Sequence, residues 1–383
     1  MKIAADCNIP LVKECFSTIG EVEAMAGREM TAESVRVAEV LLVRSVTKVD
    51  GDLLEGSSVK FVATATIGVE HIDIDYLRSK GIGFASAPGS NANSVAEYVT
   101  AGLLEVGDNR GISLAGKSIG IVGVGNVGGK VAEKCRALGM EVCLNDPPLQ
   151  RQSCDAKYRP IEEVFGCDFV TLHVPLTLGG VDKTAHLAGP EFFESLKEGC
   201  VFINTSRGGV VETGALKSAL KSGKIAGAIV DVWEDEPSID SELLEMVDIG
   251  TAHIAGYSFD GKVAGLMMIY DSTCRHFALA PSFHVGRFMP APQVGNLTVK
   301  SALENEQKQV LAVVRKVYDI CGDGEKLRQI LGQPLGKRCA MFDKLRKDYQ
   351  VRREFFNTQV VLENAGGGLA EKLRGIGFGV SNV

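Results

Sequence analysis

No stretch of this 383-residue chain runs to the eighteen or so consecutive apolar residues that a membrane-spanning helix needs, which argues against a helical membrane protein. Positive charge is also in short supply. There are 41 Lys and Arg against 48 Asp and Glu, a net charge of -7, so non-specific binding to nucleic acid or to an anionic membrane is disfavoured. An anionic substrate would therefore have to be held by a local basic site. Ten cysteines are present, yet there is no C-x-x-C pair and no histidine cluster at zinc spacing. Neither a metal site nor a disulfide framework is expected, and the thiols read as small core residues in a reducing compartment. The segment Met1–Asp6 lacks the apolar stretch of a signal peptide, so a cytoplasmic protein is expected.

What is present reads as ordinary globular protein, with 45% hydrophobic and 23% charged residues. The length exceeds what one core usually organises and predicts two or three domains. Short β-rich apolar runs alternate with helical patterns: Ile3–Ala5, Val40–Arg44, Phe61–Thr66, Ile119–Gly123, Val142–Asn145, Phe169–His173, Val201–Asn204, Ile229–Val232 and Ile249–His253. That alternation predicts parallel βαβ units, whose ligands sit at the carboxyl ends of the strands. Ala92–Gly107 has helical apolar spacing. Past Pro281 the texture changes to amphipathic segments such as Gln307–Tyr318 and a basic stretch, Lys337–Arg353, with seven Lys or Arg against two Asp.

Gly123-Val124-Gly125-Asn126-Val127-Gly128 is a G-x-G-x-x-G between the apparent strand Ser118–Val122 and a helical stretch from Gly129 to Leu138. The motif alone is weak, but its required context is present on both sides. Its glycines allow a tight turn and a close approach of backbone N–H groups to a pyrophosphate. Asp146 follows at the end of the next strand, where a carboxylate can accept hydrogen bonds from both adenosine ribose hydroxyls and repel a 2′-phosphate. NAD is the expected cofactor.

Three later segments carry candidate chemistry: Asn204–Gly209, Asp231–Pro237 and Thr251–Tyr257. Oxidising a 2-hydroxy acid needs a base for the hydroxyl proton, a cation for the carboxylate, and a group that holds the base. His253 suits the first role, since an imidazole titrates near neutrality. Arg207 suits the second, with a planar fork that matches a carboxylate. Glu236 suits the third, as an acidic partner that fixes the tautomer. Each taken singly is more often structural, but their joint occurrence in this order behind the glycine fingerprint points to catalysis. His71, His173, His186, His276 and His284 show no such partners in evident register.

At these residues the sequence resembles the D-2-hydroxyacid dehydrogenase superfamily, whose catalytic Arg, Glu and His match Arg207, Glu236 and His253. The resemblance covers residues 1 to about 280. It implies a Rossmann-type NAD domain at 95–256 and a discontinuous, flavodoxin-like substrate domain made of 1–94 and 257–285. Val43–Val49, Thr64–Thr66, Asn145–Pro148, His253–Tyr257 and Phe342–Tyr349 narrow it to a branch acting on a small phosphorylated 2-hydroxy acid in pyridoxal phosphate biosynthesis. In that branch residues 286–383 would be an α+β dimerisation domain, making the protein a homodimer. By the same similarity Ser45, Thr66 and Tyr257 would contact substrate. Gly123, Gly125, Asn126, Val127, Gly128, Asp146, Val174, Thr205, Ser206, Arg207, Asp231 and Gly256 would line the NAD site. Val174 departs from the hydroxyl-bearing residue expected there, at a cost of at most one cofactor hydrogen bond. Arg207 can serve only one of two anionic groups, so Arg44 and Arg346 are expected to hold the phosphate, Arg346 from its own subunit or from the partner. Alternatives are another dehydrogenase of the superfamily, such as phosphoglycerate dehydrogenase, and an NAD-sensing scaffold of the corepressor type.

Overall fold

The computed structural model describes residues 1–300, 305–363 and 367–382. The chain divides into two compact units, one made of Met1–Asn91 with Ser258–Ala291 and the other of Ala92–Tyr257 with Pro292–Val383.

The first unit is built on five parallel strands, β1 (Lys2–Asp6), β2 (Glu21–Met25), β3 (Val40–Val43), β4 (Phe61–Thr64) and β5 (Gly83–Ala85), in the order β2-β1-β3-β4-β5. This is the flavodoxin-like order. Its central strands β3 and β4 are buried at every position and apolar except at Thr64, because both faces are covered. Ile3, Ala5, Val40, Leu42, Phe61 and Ala63 pack on one side against Leu266, Ile269 and Tyr270 of the return helix Phe259–His276. Ala4, Leu41, Val43 and Val62 pack on the other side against Val35, Leu53, Leu54 and Leu77. Ser258 caps the return helix through a 2.8 Å bond from Gly261 N to its hydroxyl.

The second unit holds β6 (Ser118–Val122), β7 (Glu141–Asn145), β8 (Phe169–Leu172), β9 (Cys200–Asn204), β10 (Ile225–Val230) and β11 (Ile249–Gly250), all parallel, in the order β11-β10-β9-β8-β6-β7. A Rossmann sheet places a further strand outside its second one. Here that strand is reduced to a single parallel bridge between Leu144 and Tyr158.

The tail adds a small parallel sheet, β12 (Asn296–Lys300), β13 (Gln359–Glu363) and β14 (Gly379–Asn382). Its helices Glu306–Val317 and Gly367–Ile376 share one hydrophobic core with the Rossmann layer, joining Val310, Val314, Leu373 and Ile376 to Leu103, Leu104, Val131 and Cys135. A Cβ on Gly375 would lie 2.4 Å from the Ala137 Cβ, so glycine sets how closely two helices approach there. The helix Ala92–Arg110 is buried on almost every side from Ala92 to Gly107. Its carboxylates are covered by the tail: Arg315 pairs with Glu105 at 2.8 and 2.5 Å, and the fully buried Arg352 pairs with the fully buried Glu97 at 3.0 Å.

Candidate active site

β6 ends in a turn that only glycine can make. Gly123 has φ +87°, and a Cβ there would lie 2.7 Å from the His173 carbonyl. A Cβ on Gly128 would lie 2.0 Å from the Gly123 carbonyl, whereas Gly125 faces open space. The helix Asn126–Ala137 starts at once, with Gly125 as its cap and, among the described residues, no capping side chain on its first N–H groups. Asn126, Val127 and Gly128 thus present unclaimed donors and a positive helix terminus to an anion. This cradle fits the pyrophosphate of NAD.

Asp146 ends β7 and does more than the motif suggests. Its Oδ2 accepts from Val124 N at 2.7 Å and its Oδ1 from Leu149 N at 2.9 Å. One carboxylate therefore braces the glycine turn and caps the short helix Pro147–Ser153 while keeping lone pairs for ribose hydroxyls. Val174 borders the turn, its Cγ1 lying 2.9 Å from where a Gly123 Cβ would be.

His173 has partners that its sequence position did not reveal. Nε2 lies 3.0 Å from Thr171 Oγ1 and Nδ1 lies 3.3 Å from Thr205 Oγ1. Burial pushes this imidazole down to about 3, so it stays neutral while orienting Thr205. His186 likewise meets Glu234 at 2.6 Å. Beyond β9, Asn204 Oδ1 accepts from Ser206 N at 3.0 Å and Ser206 Oγ at 2.8 Å. Arg207 donates to its neighbour's carbonyl, Ser206 O, at 2.8 Å. A Cβ on Gly208 would lie 1.8 Å from the Trp233 carbonyl, so glycine after Arg207 lets this turn press against the segment that carries Glu236.

Asp231, at the end of β10, is fully buried and holds the histidine loop. It accepts from Thr251 Oγ1 at 2.6 Å, Ile254 N at 2.7 Å and Ala255 N at 2.9 Å. His253 N donates to the Asp231 carbonyl at 2.8 Å, and His253 itself takes the left-handed φ of +55°. Such a conformation persists only where the surroundings over-determine it. The loop runs on through Gly256 to Tyr257.

His253 Nδ1 lies 2.8 Å from Glu236 Oε2, and Glu236 Oε1 accepts from Trp233 N at 2.9 Å. Burial pushes the Glu236 carboxyl up, but His253, Trp233 N and the nearby Arg346 outweigh it, and the group lies below the usual carboxylate range. Glu236 is thus an anion that fixes Nδ1 as a donor and leaves His253 Nε2 as the free base.

Arg346 lies beside Glu236 and Tyr257 of its own chain. Its guanidinium shares a hydrogen bond with Tyr257 and sits alongside Glu236, while its Nε is buried without a hydrogen-bond partner among the described residues. The Tyr257 ring packs edge-on to Tyr349 at 5.8 Å. Within the first unit, Arg44 and Ser45 follow β3 and Thr66 follows β4, at the carboxyl ends of neighbouring strands. Arg44 and Thr66 are half-buried and Ser45 is exposed.

Residues 89–255 match the D-isomer specific 2-hydroxyacid dehydrogenase NAD binding domain, and residues 288–377 match a domain of unknown function. The chain is 40% identical over 382 residues, all of both proteins, to the erythronate-4-phosphate dehydrogenase of Hahella chejuensis. It is 42% identical over 381 residues, 99% of each, to that of Marinobacter nauticus. The chain belongs to the erythronate-4-phosphate dehydrogenase family. Among solved structures, NAD-bound 3-phosphoglycerate dehydrogenase from Entamoeba histolytica is 26% identical, with a TM-score of 0.62 over 73% of this chain and 95% of that one. Membership in this family makes the chain an NAD-dependent oxidoreductase of hydroxy acids. No helix among the described residues is long and apolar enough to cross a membrane.

Proposed function

We propose that the protein oxidises 4-phospho-D-erythronate at C2 to 2-oxo-3-hydroxy-4-phosphobutanoate, reducing NAD to NADH with release of a proton, in pyridoxal 5′-phosphate biosynthesis. The observation that carries this reading is the 40% identity along the whole chain to proteins of that activity. The hydrogen-bonded His253–Glu236 pair supports it. NAD, when bound, takes up the hydrogen and its electron pair from C2. His253 Nε2 takes the C2 hydroxyl proton, and Glu236 stabilises the imidazolium that results. Arg207 holds the carboxylate and polarises the developing carbonyl. Thr205, Ser206, Asp231, Val174 and Gly256 line the cofactor, while Ser45, Thr66 and Tyr257 contact substrate.

Arg44 and Arg346 hold the phosphate in this reading. The buried, unpaired Nε of Arg346 beside Tyr257 and Glu236 favours its acting within its own subunit. Residues 1–94 and 257–285 serve substrate, 95–256 serve NAD, and 286–383 join two copies into a cytoplasmic homodimer. Following NADH absorbance with 4-phospho-D-erythronate, 3-phosphoglycerate and D-lactate on one preparation tests the substrate. A higher kcat/KM for either of the latter two would overturn it.

A further inference from the structure

Thr66 lies two residues past the end of β4, at the edge of the first unit's sheet where parallel strands present ligand-binding groups. Its hydroxyl belongs to a hydrogen-bonded chain whose direction is fixed by chemistry. Thr66 Oγ1 lies 2.9 Å from the Gly68 carbonyl, which can only accept, so the single proton of Thr66 points there. Thr64 Oγ1 is 2.7 Å from Thr66 Oγ1, and the proton between them must therefore be that of Thr64. Having given its proton away, Thr64 accepts one from His71 Nε2, 3.0 Å distant. Burial holds this imidazole below histidine's ordinary range, against a weaker opposing pull from Glu70, so it is neutral with its proton on Nε2. The frame is pinned as well: Ala87 N donates to Thr66 O at 3.0 Å and Val49 N to His71 O at 2.8 Å.

A hydroxyl has one proton and two lone pairs. In Thr66 the proton and one lone pair are committed, and what remains can only accept. An ionised carboxylate or phosphate offers oxygen lone pairs and no proton, so Thr66 is poorly suited to either anionic end of the substrate. It suits a neutral hydroxyl. In 4-phospho-D-erythronate C1 and C4 carry the anionic groups and the C2 hydroxyl gives its proton to the base, which leaves the C3 hydroxyl.

We propose that Thr66 is a specificity residue accepting a hydrogen bond from the substrate's C3 hydroxyl, with Thr64 and His71 as positioning residues that make its oxygen an acceptor. The proposal rests on the substrate reading given above. The test compares kcat/KM for 4-phospho-D-erythronate and its 3-deoxy counterpart, 2-hydroxy-4-phosphobutanoate. The unaltered protein should favour the hydroxylated substrate, and Thr66→Val should lower that substrate alone by roughly three- to tenfold, the range of one neutral hydrogen bond. Thr66→Ser should keep the preference. His71→Phe should shrink it, and His71→Gln, which retains a donor, should restore most of it. Equal losses on both substrates in Thr66→Val, or an undiminished preference, would overturn the proposal. Nitrogen-15 NMR of the imidazoles at neutral pH provides a check independent of turnover, and a His71 proton on Nδ1 would overturn the relay. Failure of the unaltered protein to oxidise 4-phospho-D-erythronate would instead sink the substrate reading, with the His71 tautomer still deciding the relay.

Discussion

Replacing Glu236 with glutamine puts the proposed base to a test that the local hydrogen bonding makes asymmetric. The carboxylate uses Oε2 for His253 Nδ1 at 2.8 Å and Oε1 for Trp233 N at 2.9 Å, so both of its partners require an acceptor. Glutamine has one acceptor and one donor end. If its oxygen faces Trp233 N, its amide N–H meets His253 Nδ1, which must then accept, and the proton moves to Nε2 where the base should be bare. If its oxygen faces His253, the amide N–H opposes Trp233 N and a half-buried donor loses its partner. Either orientation also removes the anion that stabilises the imidazolium. A charge-assisted hydrogen bond contributes about 1.5–3 kcal/mol, which corresponds to roughly a ten- to hundredfold loss of kcat. Substrate binding made elsewhere should persist, so KM should change little by comparison. Stopped-flow measurement of NADH formation in a single turnover isolates the chemical step. A Glu236→Gln protein whose single-turnover rate stays within twofold of the original would refute the assignment of His253 and Glu236 as base and orienting acid.

Asp146→Ala should weaken NAD and reduce discrimination against NADP, because the same change removes a ribose acceptor and frees Val124 N and Leu149 N; calorimetric titration showing unchanged NAD affinity would contradict this. Asp168 is pushed up by burial but pulled down further by Lys197 and by Ser118 N and Oγ, from 3.8 to about 2. Its stabilising contribution is therefore present above pH 4 and lost as pH falls through 2, so Asp168→Asn should cost up to about 2 kcal/mol at pH 7 and flatten the acid limb of a denaturation series. Arg352→Leu strands the buried Glu97 carboxylate and should cost about 3–5 kcal/mol in urea unfolding; a loss under 1 kcal/mol would show that the site repacks. Arg346→Ala should lower kcat/KM roughly ten- to a hundredfold for a phosphorylated substrate, while equal damage to an unphosphorylated analogue would assign it a folding role.

Most strands of the two large sheets were readable because they are apolar runs, as doubly covered parallel strands must be, whereas β2, with two glutamates among its five residues, and the three-residue β5 were not. The small sheet of the tail escaped notice. Asn296–Lys300 alternates exposed and half-buried residues, and Gln359–Glu363 begins and ends in polar side chains, so neither stands out from amphipathic loop. Tyr158 could not be found, since one bridge leaves no period to detect. Among site residues, the glycine cradle, Asp146 and the Arg207, Glu236, His253 set follow from motif and order. The bracing role of Asp231 does not, because its partners are backbone N–H groups twenty-odd residues onward that a sequence displays no differently from any others. His71 and His173 were passed over for a related reason. Their partners are threonine hydroxyls two to thirty-two residues away, and threonine carries no charge to mark it as a partner.

The tail and the NAD cradle are served by one hydrophobic core, with the helix that opens at the glycine turn packed between them. A core shared in this way opens as one cooperative unit. Whatever free energy NAD contributes by binding at the turn is then felt by amides of Glu306–Val317 and Gly367–Ile376, which share that core with the helix after the turn. Their exchange with solvent deuterium should slow as NAD is added, in step with saturation, making these two tail helices reporters of occupancy at the glycine turn.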